Sequence, residues 1–191
     1  MKEHQYQIAL KWIGSKGVGT KNYRSYSRDF EVGAPFKKQL IHGSSDPSFR
    51  GDKTRYNPED VFLSSIASCH MLWFLHLCST HNIVVLEYED QATGTMVEDK
   101  DGSGRFKEVT LYPEILVLGK VDMELVHQLH KEANKMCFIA NSCNFPIGHK
   151  PKVKVQGKDW KCQTVVPSYL PIQPPSTRSV LPFIYADASE A

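Results

Sequence analysis

Tyr6, Ile8, Leu10 and Trp12 alternate with mostly polar neighbours, and a two-residue period of this kind predicts a half-buried strand. Gly14, Gly17 and Gly19 follow, and then a second patterned stretch over about residues 22–32. Glycines between two such runs read as a hairpin loop. Their spacing is not that of a dinucleotide-binding turn and no helix follows, so a phosphate cradle is not expected. From 33 to 56 the chain carries Pro35, Gly43, Pro47 and Gly51 around a short apolar stretch at Leu40 and Ile41. This predicts a third strand followed by a loop.

The pattern then changes. Asn57-Pro58-Glu59-Asp60 has the order of a helix start: asparagine is a favoured N-cap, proline suits the first helical position, and two carboxylates complement the positive end of the dipole. The helix should run to about Thr80. From Val61 to Leu77 it is apolar on nearly every side, which predicts burial all round and a central place in the fold. Ile83 to Met96 and Arg105 to Leu118 read as two strands joined by a polar run whose Asp101-Gly102 pair signals a turn. Asp122 can cap a second helix in which Leu125, Leu129, Ala133 and Met136 or Cys137 recur at three- to four-residue spacing. Lys152 to Gln156 reads as a last short strand. Strands, helix, strands, helix and strand make an α+β domain over 1–156.

Residues 157–191 differ in kind. Pro167, Pro171, Pro174, Pro175 and Pro182 interrupt any regular element, yet apolar residues such as Val165, Tyr169, Leu170 and Phe183 are too many for a solvated linker. An extended arm lying on the domain or on a partner is expected.

Composition narrows the function classes. Of 191 residues, 41% are hydrophobic and 23% charged, which are values for an ordinary globular chain. A net charge of +2 gives no electrostatic case for nucleic acid. The apolar runs are read as falling short of the eighteen or so residues of a membrane span, and no signal-like core opens the chain. Five scattered cysteines, without C-x-x-C spacing, do not form a disulfide framework. A reducing, cytoplasmic location is expected.

Two of those cysteines carry the chemistry. Cys69 lies in the long apolar helix, and Cys137 in Lys135-Met136-Cys137-Phe138-Ile139-Ala140-Asn141. A thiol reacts as its thiolate, and a buried thiolate needs a cation nearby. Arg50, Arg55 and Glu59 are charged residues close to Cys69 in sequence. The other cysteines, Cys78, Cys143 and Cys162, read as small core residues. His127 and His130 share a helix face, and His70 and His76 lie in the long helix, but no ligand set has a structural-zinc spacing. Neither a metal nor a cofactor is expected. No G-x-S-x-G stands between a strand and a helix, which removes a serine hydrolase.

Asn57-Pro58-Glu59 followed ten residues on by Cys69, with Cys137 leading into Phe138-Ile139-Ala140-Asn141, resembles the OsmC/Ohr family of osmotically inducible and organic hydroperoxide resistance proteins. The resemblance spans about residues 5–156. It implies an antiparallel sheet wrapped around a long central helix and a second helix, in an intertwined homodimer with active sites at the interface. It also implies a thiol-dependent peroxidase for organic hydroperoxides, with Cys69 peroxidatic, Cys137 resolving and Glu59 in the conserved motif. The activating arginine is Arg50 by likeness to the OsmC branch, and Arg24 or Arg28 by likeness to the Ohr branch. The reductant would be a dithiol: a lipoyl protein, thioredoxin or a small thiol. The family often has proline directly after the resolving cysteine, where this chain has Phe138.

The chemistry is consistent with these roles. A sulfenic acid on one cysteine condenses with a second thiol to a disulfide. A guanidinium would offset the desolvation of Cys69, and Glu59 would hold it. One constraint stands out. Ten helical residues at 1.5 Å each put Glu59 about 15 Å from Cys69. Either the helix begins later than Pro58, or Glu59 serves the cysteine of a second copy. The rival reading is a non-enzymatic homodimer of the same fold that senses redox state or binds an apolar ligand.

Overall fold

The computed structural model describes residues 2–157. The expected arm, from 158 onward, and Cys162 lie outside the described residues. Three short strands, β1 (Ala9–Trp12), β2 (Phe30–Gly33) and β3 (Ile41–Gly43), form an antiparallel sheet in that order. Phe30 pairs with Gly43, and its ring lies where a side chain on residue 43 would stand, so only glycine fits there. The loop that follows contains a 3-10 turn, Pro47–Phe49, closed by Arg50 at φ +67°. Gly51 comes next, where a Cβ would collide with the Ser45 carbonyl.

Helix α1 spans Pro58–Thr80 and begins as its sequence predicts. The Asn57 side chain accepts from the Asp60 amide at 2.7 Å while the Asp60 carboxylate accepts from the Asn57 amide at 3.2 Å, a reciprocal cap. Between Val61 and Thr80 the helix carries no Asp, Glu, Lys or Arg, and by length and composition alone it could cross a membrane. The apolar runs are therefore longer than the sequence reading allowed. Ser64, Ser65, Ser68 and Thr80 punctuate the pattern but return their hydroxyls to carbonyls three residues back, so they do not interrupt the helix.

Burial all round is not what one chain provides. Ile66, His70, Phe74 and Cys78, spaced by four, are buried, whereas Leu72 is 62% exposed. From His70 to Cys78 the buried stripe faces helix α2 (Met123–Met136) and a sheet of β4 (Val85–Asp90), β7 (Pro113–Leu118) and β9 (Lys152–Gln156), while Ile66 packs with Val109, Leu111 and Ile147. Asp122 caps α2 through the amides of Glu124 and Leu125. The inward face of α2 holds Leu129 and Ala133 of the predicted stripe, which continues into buried Cys137, with Leu125 partly buried against the core; Val126 and His130 widen that face. A further sheet holds β5 (Thr93–Glu98), β6 (Gly104–Leu111) and β8 (Ile147–His149).

The α+β class stands, but one antiparallel sheet does not describe it. Among the described residues there are three sheets of three strands, and the pairs β6–β8 and β7–β9 are parallel. Each predicted long strand is two: the chain breaks at Gln91-Ala92 and at Tyr112, leaving one sheet for the next. The Asp90 carboxylate accepts the Tyr112 amide at 2.7 Å, which fastens the two corners together. Alternation continues through such a corner, so periodicity alone does not mark it. In β7 the period is plain, with Pro113, Ile115 and Val117 buried.

Between α1 and α2 sits a polar pair. The Nε2 of His70 is 3.0 Å from Nδ1 of His130, the rings stack, and both side chains are buried. His130 also stacks on Phe74 at 3.9 Å. Burial, and then the nearby His149, hold His70 down to about 4. Burial, and then His70, His149 and His127, hold His130 down to about 3.

Two expectations follow for stability. Phe74→Ala should cost about 3–5 kcal/mol in urea unfolding. Both imidazoles have folded pKa values below the ordinary 6.5, so their contribution is whole above about pH 6.5 and is lost as pH falls toward 4 and then 3. The loss should approach about 1 kcal/mol per pH unit for each imidazole in the upper part of that window. Urea midpoints measured across pH would show it.

Candidate active site

Cys69 lies on the flank of α1 that is neither fully buried nor fully exposed, and α2 ends directly opposite. At Cys137 the backbone leaves the helix (φ −69°, ψ 110°) and at once starts the short α3, Phe138–Asn141. Cys137 is both the C-cap of one helix and the N-cap of the next. Its sulfur accepts from the Ala140 amide at 3.3 Å. Phe138 occupies the first helical position of α3, a place where proline is also at home. The family's frequent proline and this chain's phenylalanine therefore suit the same backbone. One turn beyond Cys69, the Trp73 ring meets Phe138 edge-on at 6.0 Å.

The two thiols are neighbours, close enough that Cys69 bears on the ionisation of Cys137. Burial, and then the bond from Cys69, push Cys137 up to about 11, against the opposing pull of the Ala140 and Ile139 amides. A helix N-terminus ordinarily favours a thiolate. Here desolvation wins, because Cys137 has no exposed surface. Cys137 is a thiol at neutral pH, poised next to Cys69. Burial also pushes Cys78 up to about 12, as expected of a core residue. Cys143, likewise raised by burial, donates its S–H to the Ile139 carbonyl.

The predicted charged residues stand elsewhere. Helix α1 begins at Pro58, so Glu59 lies in its first turn and about 15 Å from Cys69 along the axis. One Glu59 carboxylate oxygen is buried without a partner among the described residues. It borders a cleft with Asp46, Phe49, Met96 and Glu98. Arg50 is exposed at the left-handed cap of the 3-10 turn. Arg24 is exposed, whereas Arg28 is held locally, stacked on Tyr23 and Tyr26 and donating to both their carbonyls. Arg55 lies 3.6 Å from Asp52 and 4.0 Å from Asp29, with one guanidinium nitrogen buried and unpaired among the described residues. Its closeness to the Asn-Pro-Glu run was visible in sequence, but its link to Asp29, across the chain, was not. Nor was the His70–His130 pair, which needed the helix packing to be known. Among the described residues no group of three or more His, Cys, Asp or Glu side chains is arranged to hold a metal.

Residues 51–152 match the family model for OsmC-like proteins. The fold is shared with an OsmC-like protein of unknown function from Vibrio cholerae, at 24% identity over 78% of this chain and all of that one (TM-score 0.71). It is shared with the organic hydroperoxide resistance protein OhrB of Bacillus subtilis, at 16% identity over 79% of this chain and 98% of that one (TM-score 0.55). An organic hydroperoxide resistance protein from Elizabethkingia anophelis is similar at 18% identity over 81% of this chain and all of that one (TM-score 0.57). No curated protein matches the chain.

The thiol contact carries a direct prediction. Cys69→Ser removes one of the causes that raise Cys137, so the Cys137 titration should move down from about 11. The Cβ chemical shift of Cys137, followed against pH by NMR in both proteins, would report it; an unmoved titration would contradict the contact.

Proposed function

The chain belongs to the OsmC-like protein family, and on that footing we propose that it is a thiol-dependent peroxidase that reduces organic hydroperoxides to alcohols. The observation that carries this reading is that Cys69 on α1 and Cys137 at the end of α2 are neighbours, with Cys69 bearing on the ionisation of Cys137. In the proposed cycle the Cys69 thiolate attacks the distal peroxide oxygen. The O–O bond breaks, an S–O bond forms, and the alkoxide leaves as the alcohol after taking a proton. The Cys137 thiol then attacks the Cys69 sulfenic acid, forming the S–S bond and releasing water. A dithiol reductant reopens the disulfide by two exchanges and is itself oxidised. Phe62, Trp73 and Phe138 supply apolar surface that suits an organic substituent better than hydrogen peroxide alone.

A second copy of the chain completes this reading. The helix begins at Pro58, which removes a later start as the way to bring Glu59 to its own Cys69. Glu59 would then serve the cysteine of the other subunit, together with Arg50, or with Arg24 or Arg28 by the alternative assignment. The exposed apolar residues of α1 and α3, Leu72 and Phe138 among them, favour such a homodimer by the area they would remove from water.

With one equivalent of cumene hydroperoxide, the reduced protein should form a Cys69–Cys137 disulfide, located by peptide mass spectrometry. Cys69→Ser should abolish turnover. Cys137→Ser should allow one oxidation and then stop. Unreacted thiols at both positions would leave the sensing or ligand-binding dimer as the better account. Arg50→Ala should slow oxidation of Cys69 by about tenfold or more, since about 1.4 kcal/mol less stabilisation of the reacting thiolate is a factor of ten in rate. A larger loss in Arg24→Ala or Arg28→Ala would move the assignment there.

A further inference from the structure

The proposed reaction leaves His70 and His130 without a task, although they join the two helices that carry the thiols. His70 follows Cys69 directly on α1, and His130 lies two turns before Cys137 on α2. The bond between them, at 3.0 Å, needs one ring nitrogen to donate and the other to accept. Two neutral imidazoles satisfy that requirement, and two imidazolium ions cannot, since both of their facing nitrogens carry protons. A single added proton could be shared, but it would be a charge in a buried site.

Among the described residues nothing acidic bears on the pair to compensate such a charge. On α2 the neighbours are His127 and Lys131, and on β8 His149, whose ring lies 5.6 Å from that of His70 and 6.0 Å from that of His130. Helix α1 contributes the neutral thiol of Cys78 and the apolar ring of Phe74. From β4, Tyr88 reaches Phe74, and the Asp90 carboxyl beyond it is itself pushed up by burial, so it is a poor counter-ion. The outer nitrogens, Nδ1 of His70, Nε2 of His130 and Nδ1 of His149, are buried with no partner among the described residues. Protonation would therefore place like charges side by side at the contact between α1 and α2. The least costly response is to open that contact to water.

We propose that the His70–His130 pair is an acid-sensitive latch between α1 and α2: proton uptake below about pH 6 parts the helices and separates Cys69 from Cys137. Resolution of Cys69 by Cys137 then ceases in acid, while the first oxidation of Cys69 does not depend on the latch. This regulatory step rests on the peroxidase reading. The latch itself does not, and it can be measured without peroxide.

Cys137 has no exposed surface in the closed state. Its labelling by 2,2′-dipyridyl disulfide, a reagent that reacts in acid, therefore reads opening. In a Cys69→Ser background, and relative to a free thiol at each pH, labelling of Cys137 should rise by up to about a hundredfold for each pH unit between 6 and 4, each imidazole giving up to about tenfold. With His130→Phe added, which keeps the stack on Phe74 and leaves His70 as the titrating ring of the pair, the rise should fall to about tenfold per unit or less. A flat profile in the parent, or an unchanged rise in the His130→Phe protein, would overturn the latch. If His130→Phe does not fold, amide exchange in the unmodified protein decides. Loss of protection in α1 and α2 at about pH 5, corrected for intrinsic rates, supports the latch, and retained protection rejects it. In a separate arm, hydroperoxide at about pH 5 should leave Cys69 as a sulfenic acid that dimedone traps, in place of the disulfide. Failure of Cys69 to react with hydroperoxide at any pH would overturn the peroxidase reading alone.

Discussion

A helix as apolar as α1 has more surface to bury than one side of a small domain can cover. Its stripe of His70, Phe74 and Cys78 is taken by α2 and the β4–β7–β9 sheet, Ile66 by Val109 and Leu111 of β6, and the rest of the architecture is arranged around those contacts. Because the stripe is spaced by four, it runs along the helix at a slight slant, and Cys69 falls on the boundary between the covered and the uncovered side. A thiol placed there has packed helix on one flank and reachable surface on the other. This boundary position, more than any single charged neighbour, defines the candidate site.

The electrostatics around it are those of a site that keeps charge out. Cys137 is raised by burial, Cys78 more so, and the two central histidines are held neutral. Neutral, apolar surroundings make a resolving thiol slow to ionise and keep it available as a thiol until an electrophilic sulfur arrives beside it. The charges that would activate Cys69 belong to the far end of α1 and to the loop before it, where a buried oxygen of Glu59 and a buried nitrogen of Arg55 lack partners among the described residues. Unpaired buried polar atoms are costly in a finished structure. They lie at one edge of the described chain, the edge at which the proposed second copy would complete the site.

Much was legible from the chain because it is encoded over short distances. The cap at Asn57, the proline at 58 and the end at Thr80 are local chemistry, and they fall where the residues indicate. The same holds for Asp122 as a cap, for Lys152–Gln156 as a strand, and for the turn around Gly102, whose φ of +84° suits glycine. The Asn-Pro-Glu run, with Cys69 and Cys137, likewise identified the family without any coordinates. What failed locally failed for a physical reason: alternation persists through the corners at Gln91-Ala92 and Tyr112, so two strands read as one, and a short strand at Ile147–His149 had too few residues to show a period.

The sequence alone therefore determined where the helices begin, which residues could be reactive, and which family the chain resembles, since caps, turns and motif spacing act within a few residues. The tertiary structure alone decided which of those residues meet. It set Cys69 against Cys137 across 68 positions of chain, paired His70 with His130, added Val126 and His130 to the inward face of α2, and left Glu59 far from the thiol of its own helix. Each depends on how two elements pack, and packing is a property of surfaces brought together from distant parts of the chain, which no local pattern records.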